Sequence, residues 1–214
     1  SKEVGTIPSR DLYKFFDREG NTLVLRPDFT PSVSRACATY FNPEKEVVSL
    51  CYTGNTFINN SSFRGRLKET TQMGVERMGD DSPEADAEIL AMTVECLLAA
   101  GLTEFQVSVG QVDYYKAIFA QTGMSQEEEE ELRELISQKN YFGVEELVKN
   151  KNMDKSLARV LSQLPQMFGS TEVLEKAKKL TSNPEALFAV KRLEEIYEIL
   201  KVYGCEKYIA FDFG

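Results

Sequence analysis

The chain has 214 residues, 42% hydrophobic and 28% charged, a globular balance that excludes disordered and collagen-like classes and suits one sizeable domain, or one with an insert. Lys plus Arg number 25 against 34 Asp plus Glu, a net charge of −9 that argues against broad binding to a phosphate backbone. There is no His, so Ser-His-Asp chemistry, His-Glu-x-x-His zinc sites and other His-ligated metals are excluded for this chain alone.

The first half mixes strand signals with one helix signal. Tyr13 to Phe16 and Thr22 to Leu25 flank Asp17-Arg18-Glu19-Gly20-Asn21, a hairpin pattern with Gly in its loop. Arg26-Pro27 ends the second strand, because Pro cannot donate to a ladder. A helix is predicted over Pro31 to Tyr40, with Thr30 as N-cap and Pro31 at its first position. Val47 to Phe57 and Lys68 to Met78 read as two long strands joined by a polar loop. On the second, Thr70, Gln72, Gly74 and Glu76 share a polar face, while Thr71, Met73 and Val75 are apolar enough to face a core. Asp81-Ser82-Pro83-Glu84 opens a helix that Gly101 closes, with Ile89, Leu90, Val94, Leu97 and Leu98 as its apolar stripe. Phe105, Val107 and Val109 alternate as a strand.

From 113 to 205 the pattern becomes all-helical. Ser125 and Glu128 form a capping box. Leu132, Leu135 and Ile136 mark one buried face. Leu157, Val160, Leu161 and Leu164 mark another, ended by Pro165. Asn183-Pro184 starts the longest helix, with Leu187, Val190, Leu193, Ile196, Leu200 and Tyr203 expected on its buried face and Gly204 after it. Strand signals return at Tyr208 to Phe213. The predicted fold class is therefore α+β: a mostly antiparallel core over 1–112, a helical insert over 113–205, and a return strand at 206–214. Glu127 to Glu131 reads as a solvated first turn favoured by the helix dipole.

The cysteines Cys37, Cys51, Cys96 and Cys205 are widely spaced, without Cys-x-x-Cys. No disulfide framework is expected, and a reducing cytoplasm is the expected location. No apolar run approaches the ~18 residues of a membrane span, and no membrane association, metal or cofactor is expected. The Ser at position 1 and the stop within a strand-like run lead us to expect a fragment of a longer protein.

Three clusters carry the candidate chemistry. Asp28 and Thr30 offer an anion and a hydroxyl able to hold an ammonium group. Arg64, Arg66 and Lys68 form a local basic patch at the long hairpin's loop, with Arg64 and Arg66 suited to a phosphate or carboxylate. Gln72 and Glu76, with Gly74 leaving space between them, make a floor for a small polar ligand.

Together, Leu25-Arg26-Pro27-Asp28-Phe29-Thr30, the long hairpin and Gln72-Met73-Gly74-Val75-Glu76 resemble histidyl-tRNA synthetase, a class II aminoacyl-tRNA synthetase. There the first motif is typically Leu-Arg-Pro-Glu-Gly-Thr and the last Gln-x-Gly-x-Glu. The resemblance spans nearly the whole chain and implies the class II synthetase-like fold and a histidine-like pocket of Asp28, Thr30, Gln72 and Glu76. The departures point to a relative. The family's Phe-Arg-x-Glu pattern, whose Arg binds the amino-acid carboxylate and ATP α-phosphate, is here Phe57-Ile58-Asn59-Asn60. Asp28-Phe29 replaces Glu-Gly. An apolar side chain at Ile58 cannot stabilise a phosphoryl transition state.

This combination resembles the regulatory-subunit family of ATP phosphoribosyltransferase. It implies a non-catalytic subunit, a homodimer within a hetero-oligomer, that activates the short-form catalytic subunit in the first step of histidine biosynthesis. It also implies feedback by free histidine and no tRNA substrate. The competing expectation is a histidyl-tRNA synthetase catalytic fragment with a divergent hairpin.

Overall fold

A computed structural model describes residues 7–60, 65–151 and 153–214. The chain divides into two compact units, the first running to Asp81 and the second from Ser82 to Gly214.

In the first unit, β1 (Lys14–Phe16) and β2 (Thr22–Val24) form an antiparallel hairpin, with Phe15 opposite Leu23. The Asp17 carboxylate closes the turn by accepting from the backbone N–H groups of Glu19 and Asn21 and from the Asn21 amide. The side-chain bond from Asn21, foremost, holds the Asp17 carboxyl below its ordinary range. Gly20, at φ +82°, supplies the left-handed residue the turn needs. Helix α1 (Thr30–Tyr40) follows, and β3 (Val48–Phe57) pairs antiparallel with β4 (Glu69–Met78) over ten rungs. The arginine-proline segment lies against the end of β3, since the Phe57 N–H donates to the Arg26 carbonyl at 2.9 Å.

Two expectations need correction here. The N-cap of α1 is Phe29, not Thr30. Asp28 instead accepts from the Thr30 N–H at 3.1 Å, satisfying one of the helix's free donors and leaving the Thr30 hydroxyl to bond elsewhere. The apolar alternation of β4 does not face a core, since Met73 is 71% exposed. The half-buried face is the polar one, because aromatic rings from β3 and the α1 lead-in lie over it.

In the second unit, α2 (Pro83–Ala99) starts at Ser82, whose hydroxyl accepts from the Ala85 N–H. Six more helices follow β5 (Val107–Val109): α3 (Val112–Phe119), α4 (Gln126–Ser137), α5 (Tyr141–Asn150), α6 (Lys155–Gln163), α7 (Thr171–Leu180) and α8 (Pro184–Tyr203). The Ser125–Glu128 capping box forms, and Lys151 bonded to Glu128 holds that carboxyl below its usual range. Asn183 caps α8, and Gly204 ends it at φ 70°.

The core of this unit includes Val94, Tyr114, Ile118, Leu132, Ile136, Leu161, Leu164, Leu193, Leu200, Phe211 and Phe213. Tyr114 meets Phe213 edge-on at 4.8 Å. Two helical stripes differ from expectation. Ala87 and Ala91 on α2, and Ala186 and Ala189 on α8, are buried, whereas Leu98 and Tyr203 are exposed. The two helices pack together, and small side chains allow close approach. Asp86 and Arg192 bridge them at 2.8 Å.

The return strand β7 (Ile209–Asp212) pairs parallel with β5 and antiparallel with a two-residue strand β6 (Phe168–Gly169). The stretch read as all-helical thus contains a short strand, and one pair in a mostly antiparallel α+β fold is parallel. Two residues are too few to carry a period-2 pattern. Among the described residues, no helix is long and apolar enough to cross a membrane.

Candidate functional site

Of the four expected pocket residues, β4 contributes Gln72 and Glu76 on one face, α1 contributes its first residue, Thr30, and Asp28 lies just before it. Register fixes the rows: Gly54 opposite Gln72, Tyr52 opposite Gly74, and Leu50 opposite Glu76. Opposed residues of an antiparallel pair project to the same side. Gln72 and Glu76, four positions apart, are about 13 Å apart along the strand.

The Thr30 hydroxyl donates to Glu76 Oε1 at 2.6 Å, a short charge-assisted bond joining the first residue of α1 to β4. With Asp28 accepting from the Thr30 N–H, Asp28, Thr30 and Glu76 form one linked acidic group. The structure therefore brings these three together. Gln72 lies on the same face, and its amide has no hydrogen bond among the described residues. The group offers a carboxylate with free lone pairs to a ligand N–H and presents no cation to balance an anionic ligand.

Sequence reasoning missed the aromatic part of this face. A Cβ placed on Gly74 would lie 2.3 Å from the Tyr52 hydroxyl, and one on Gly54 would lie 2.7 Å from the Phe29 ring tip. The space expected over Gly74 is therefore filled by Tyr52. Phe29, only 8% exposed, stacks on Tyr52 at 4.6 Å. The Arg26 guanidinium covers Phe29 at 4.4 Å from its centroid and is anchored by a 2.8 Å bond from its Nε to the Asn55 carbonyl. The available signal was the pair of glycines on one face of facing strands, each admitting a ring that another side chain would exclude.

At the far end of the hairpin, Ile58 is half-buried and its N–H donates to the Lys68 carbonyl at 3.0 Å. The Asn60 amide is used internally, donating to the Leu67 carbonyl at 2.9 Å. Of the expected anion-binding pair, Arg64 lies outside the described residues. Arg66 is exposed.

Comparison with known proteins places this geometry. The family model for histidyl-tRNA synthetase matches residues 2–214. The chain belongs to the histidyl-tRNA synthetase family. Within that similarity, it is 40% identical over 214 residues to an ATP phosphoribosyltransferase regulatory subunit of Acetivibrio thermocellus, covering 100% of this chain and 51% of the relative. A crystal structure of an ATP phosphoribosyltransferase regulatory subunit/histidyl-tRNA synthetase from Bacillus halodurans is similar with a TM-score of 0.86 and 32% identity, over 98% of this chain and 54% of that one. The ATP phosphoribosyl transferase (HisG:HisZ) complex from Thermotoga maritima gives 0.68 at 20% identity, over 99% and 72%, a likeness of fold alone. The class II synthetase-like α+β fold expected for the family is thus present, and the chain spans about half the length of the curated relatives it matches.

Proposed function

We propose that this protein is a non-catalytic regulatory subunit that binds and activates a short-form ATP phosphoribosyltransferase in the first step of histidine biosynthesis. Free histidine at the Asp28, Thr30, Gln72 and Glu76 face would mediate feedback. The observation that carries this reading is Ile58. It occupies the hairpin position where the resembled synthetase motif has Arg, and it brings no charge to a site that must stabilise a phosphoryl transition state. The internal use of the Asn60 amide and the regulatory-subunit names of the relatives support it too.

The remaining parts follow from the same reading. The helices from 113 to 205 act as an insert in a core formed by 1–112 and 206–214, and the pairing of β7 with β5 supports that arrangement. The subunit works in the cytoplasm as a homodimer within a hetero-oligomer and charges no tRNA. Arg66, with Arg64, is the candidate anion contact. An activator must favour the partner's active state, and feedback requires coupling of typically about 1–3 kcal/mol between the ligand site and the partner interface.

The test mixes a short-form catalytic subunit, ATP and phosphoribosyl pyrophosphate with and without the full-length protein. Turnover that rises with the protein is expected, and equal turnover in both tubes ends the reading. Histidine-dependent pyrophosphate exchange above background would favour the synthetase alternative instead.

A further inference from the structure

The ring-on-glycine contacts do more than pack. Tyr52 is confined beneath by Gly74, which leaves no room for a Cβ, and on one side by the Phe29 ring, whose plane is 19° from its own. The Arg26 guanidinium lies over the Phe29 ring, 4.4 Å from its centroid. A ring confined by a stack and a close backbone is held in one orientation, so its hydroxyl has a defined place. That place is above Gly74, between Gln72 and Glu76 along β4.

Polar groups on this face divide into two sets. Asp28, Thr30 and Glu76 are bonded to one another. The Tyr52 hydroxyl and the Gln72 amide, both on half-buried residues, make no hydrogen bond among the described residues. Beside them, Glu76 keeps lone pairs beyond the one Thr30 uses. An amide, a phenol and a carboxylate therefore follow one another along about 13 Å of strand, and the central one is fixed and unpartnered.

We propose that Tyr52 is a further ligand-binding residue of this face. Its hydroxyl hydrogen-bonds the middle of a small polar molecule that reaches Gln72 at one end and Glu76 at the other. The matching chemical class is an amino-acid-sized molecule with an ammonium group and a second N–H donor. A phenol oxygen can accept from either of these donors. Phe29 acts here through Tyr52, as a positioning residue. This inference rests on the amino-acid reading of the site given above.

The test is calorimetric titration of L-histidine into the full-length protein and its Tyr52→Phe variant, with thermal melting of both. Phe keeps the ring and the stack and removes only the hydroxyl. The expected result is binding by the parent, affinity about tenfold weaker in the variant, and an unchanged melting temperature. Equal affinities would overturn the role of Tyr52 and leave the amino-acid reading standing. A parent that binds no histidine would remove both. A variant that melts several degrees lower would mean that the hydroxyl is bonded within the protein, which also overturns the proposal.

Discussion

The Thr30–Glu76 bond can be weighed directly. It ties residue 30 at the start of α1 to residue 76 on β4, with a 2.6 Å separation that indicates a charge-assisted bond. Bonds to charged groups contribute about 1.5–3 kcal/mol. Thr30 is exposed and Glu76 half-buried, so water competes for both and the contribution falls below that range, to about 0.5–1.5 kcal/mol. Thr30→Val keeps the side chain's shape and removes the donor; Glu76→Met keeps its length and removes the acceptor. Urea unfolding at pH 7 of the parent, both single variants and the double variant gives a cycle whose interaction energy isolates this pair. The expected coupling is favourable and about 1 kcal/mol. A value below about 0.3 kcal/mol, the usual scatter of additive pairs, would mean that the hydroxyl does not hold the carboxylate in solution.

Gly74→Ala should destabilise by about 1–3 kcal/mol in the same denaturation assay, since its Cβ would fall 2.3 Å from the Tyr52 hydroxyl and displace a packed ring. Lys139, at φ +55°, pairs with Asp212 at 2.9 Å; Lys139→Met and Lys139→Gly both lose the ion pair, but Gly tolerates the left-handed backbone, so the Gly variant should be the more stable by about 1 kcal/mol. Burial raises the Tyr114 phenol to about 12, above the ordinary value near 10. The folded state therefore holds this proton while the unfolded state releases it, and stability falls as pH rises from about 10 to 12, by roughly 2–3 kcal/mol. Tyr114→Phe should make that fall shallower, the remainder coming from Tyr115, whose phenol burial also raises.

Three helix starts were legible because each has its own chemical signal. Ser82, Ser125 and Asn183 all accept from the backbone N–H groups expected of a cap. Buried faces were less legible wherever small residues form them. A count of large apolar side chains selects Leu98 and Tyr203, yet these two are exposed while Ala87 and Ala91 on α2 and Ala186 and Ala189 on α8 are buried. On β4 the error has another source. Alternation separates two faces but does not say which one is covered, and here the polar face is covered by Tyr52 and Phe29 from elsewhere in the chain. The same long-range contacts explain why Tyr52 could not be read beside the motif residues Asp28, Thr30, Gln72 and Glu76. Tyr52 reaches the face through strand register, and only the hairpin's ten rungs bring it opposite Gly74.

The geometry also separates two capacities that one site could have combined. Ile58 stands four residues beyond Gly54 on the same chain direction, about 13 Å away in extended backbone. Gly54 is the partner of Gln72, and Glu76 lies further still in the opposite direction. In the proposed reading, where Ile58 takes the place of the synthetase motif's arginine, an apolar side chain there leaves one end of the hairpin uncharged without touching the Asp28–Thr30–Glu76 group or the Tyr52–Phe29 stack. A transition-state charge needs an opposing group placed where it develops, whereas holding an ammonium and an N–H needs only acceptors on the floor. Ile58→Arg should accordingly leave unchanged the histidine affinity proposed for the floor, and it should not by itself produce adenylate, because Asn60 is already committed to the Leu67 carbonyl. Pyrophosphate exchange measured alongside calorimetry on that variant tests both halves of the argument: exchange above background would mean that a single charge sufficed, and the separation of binding from chemistry would fail.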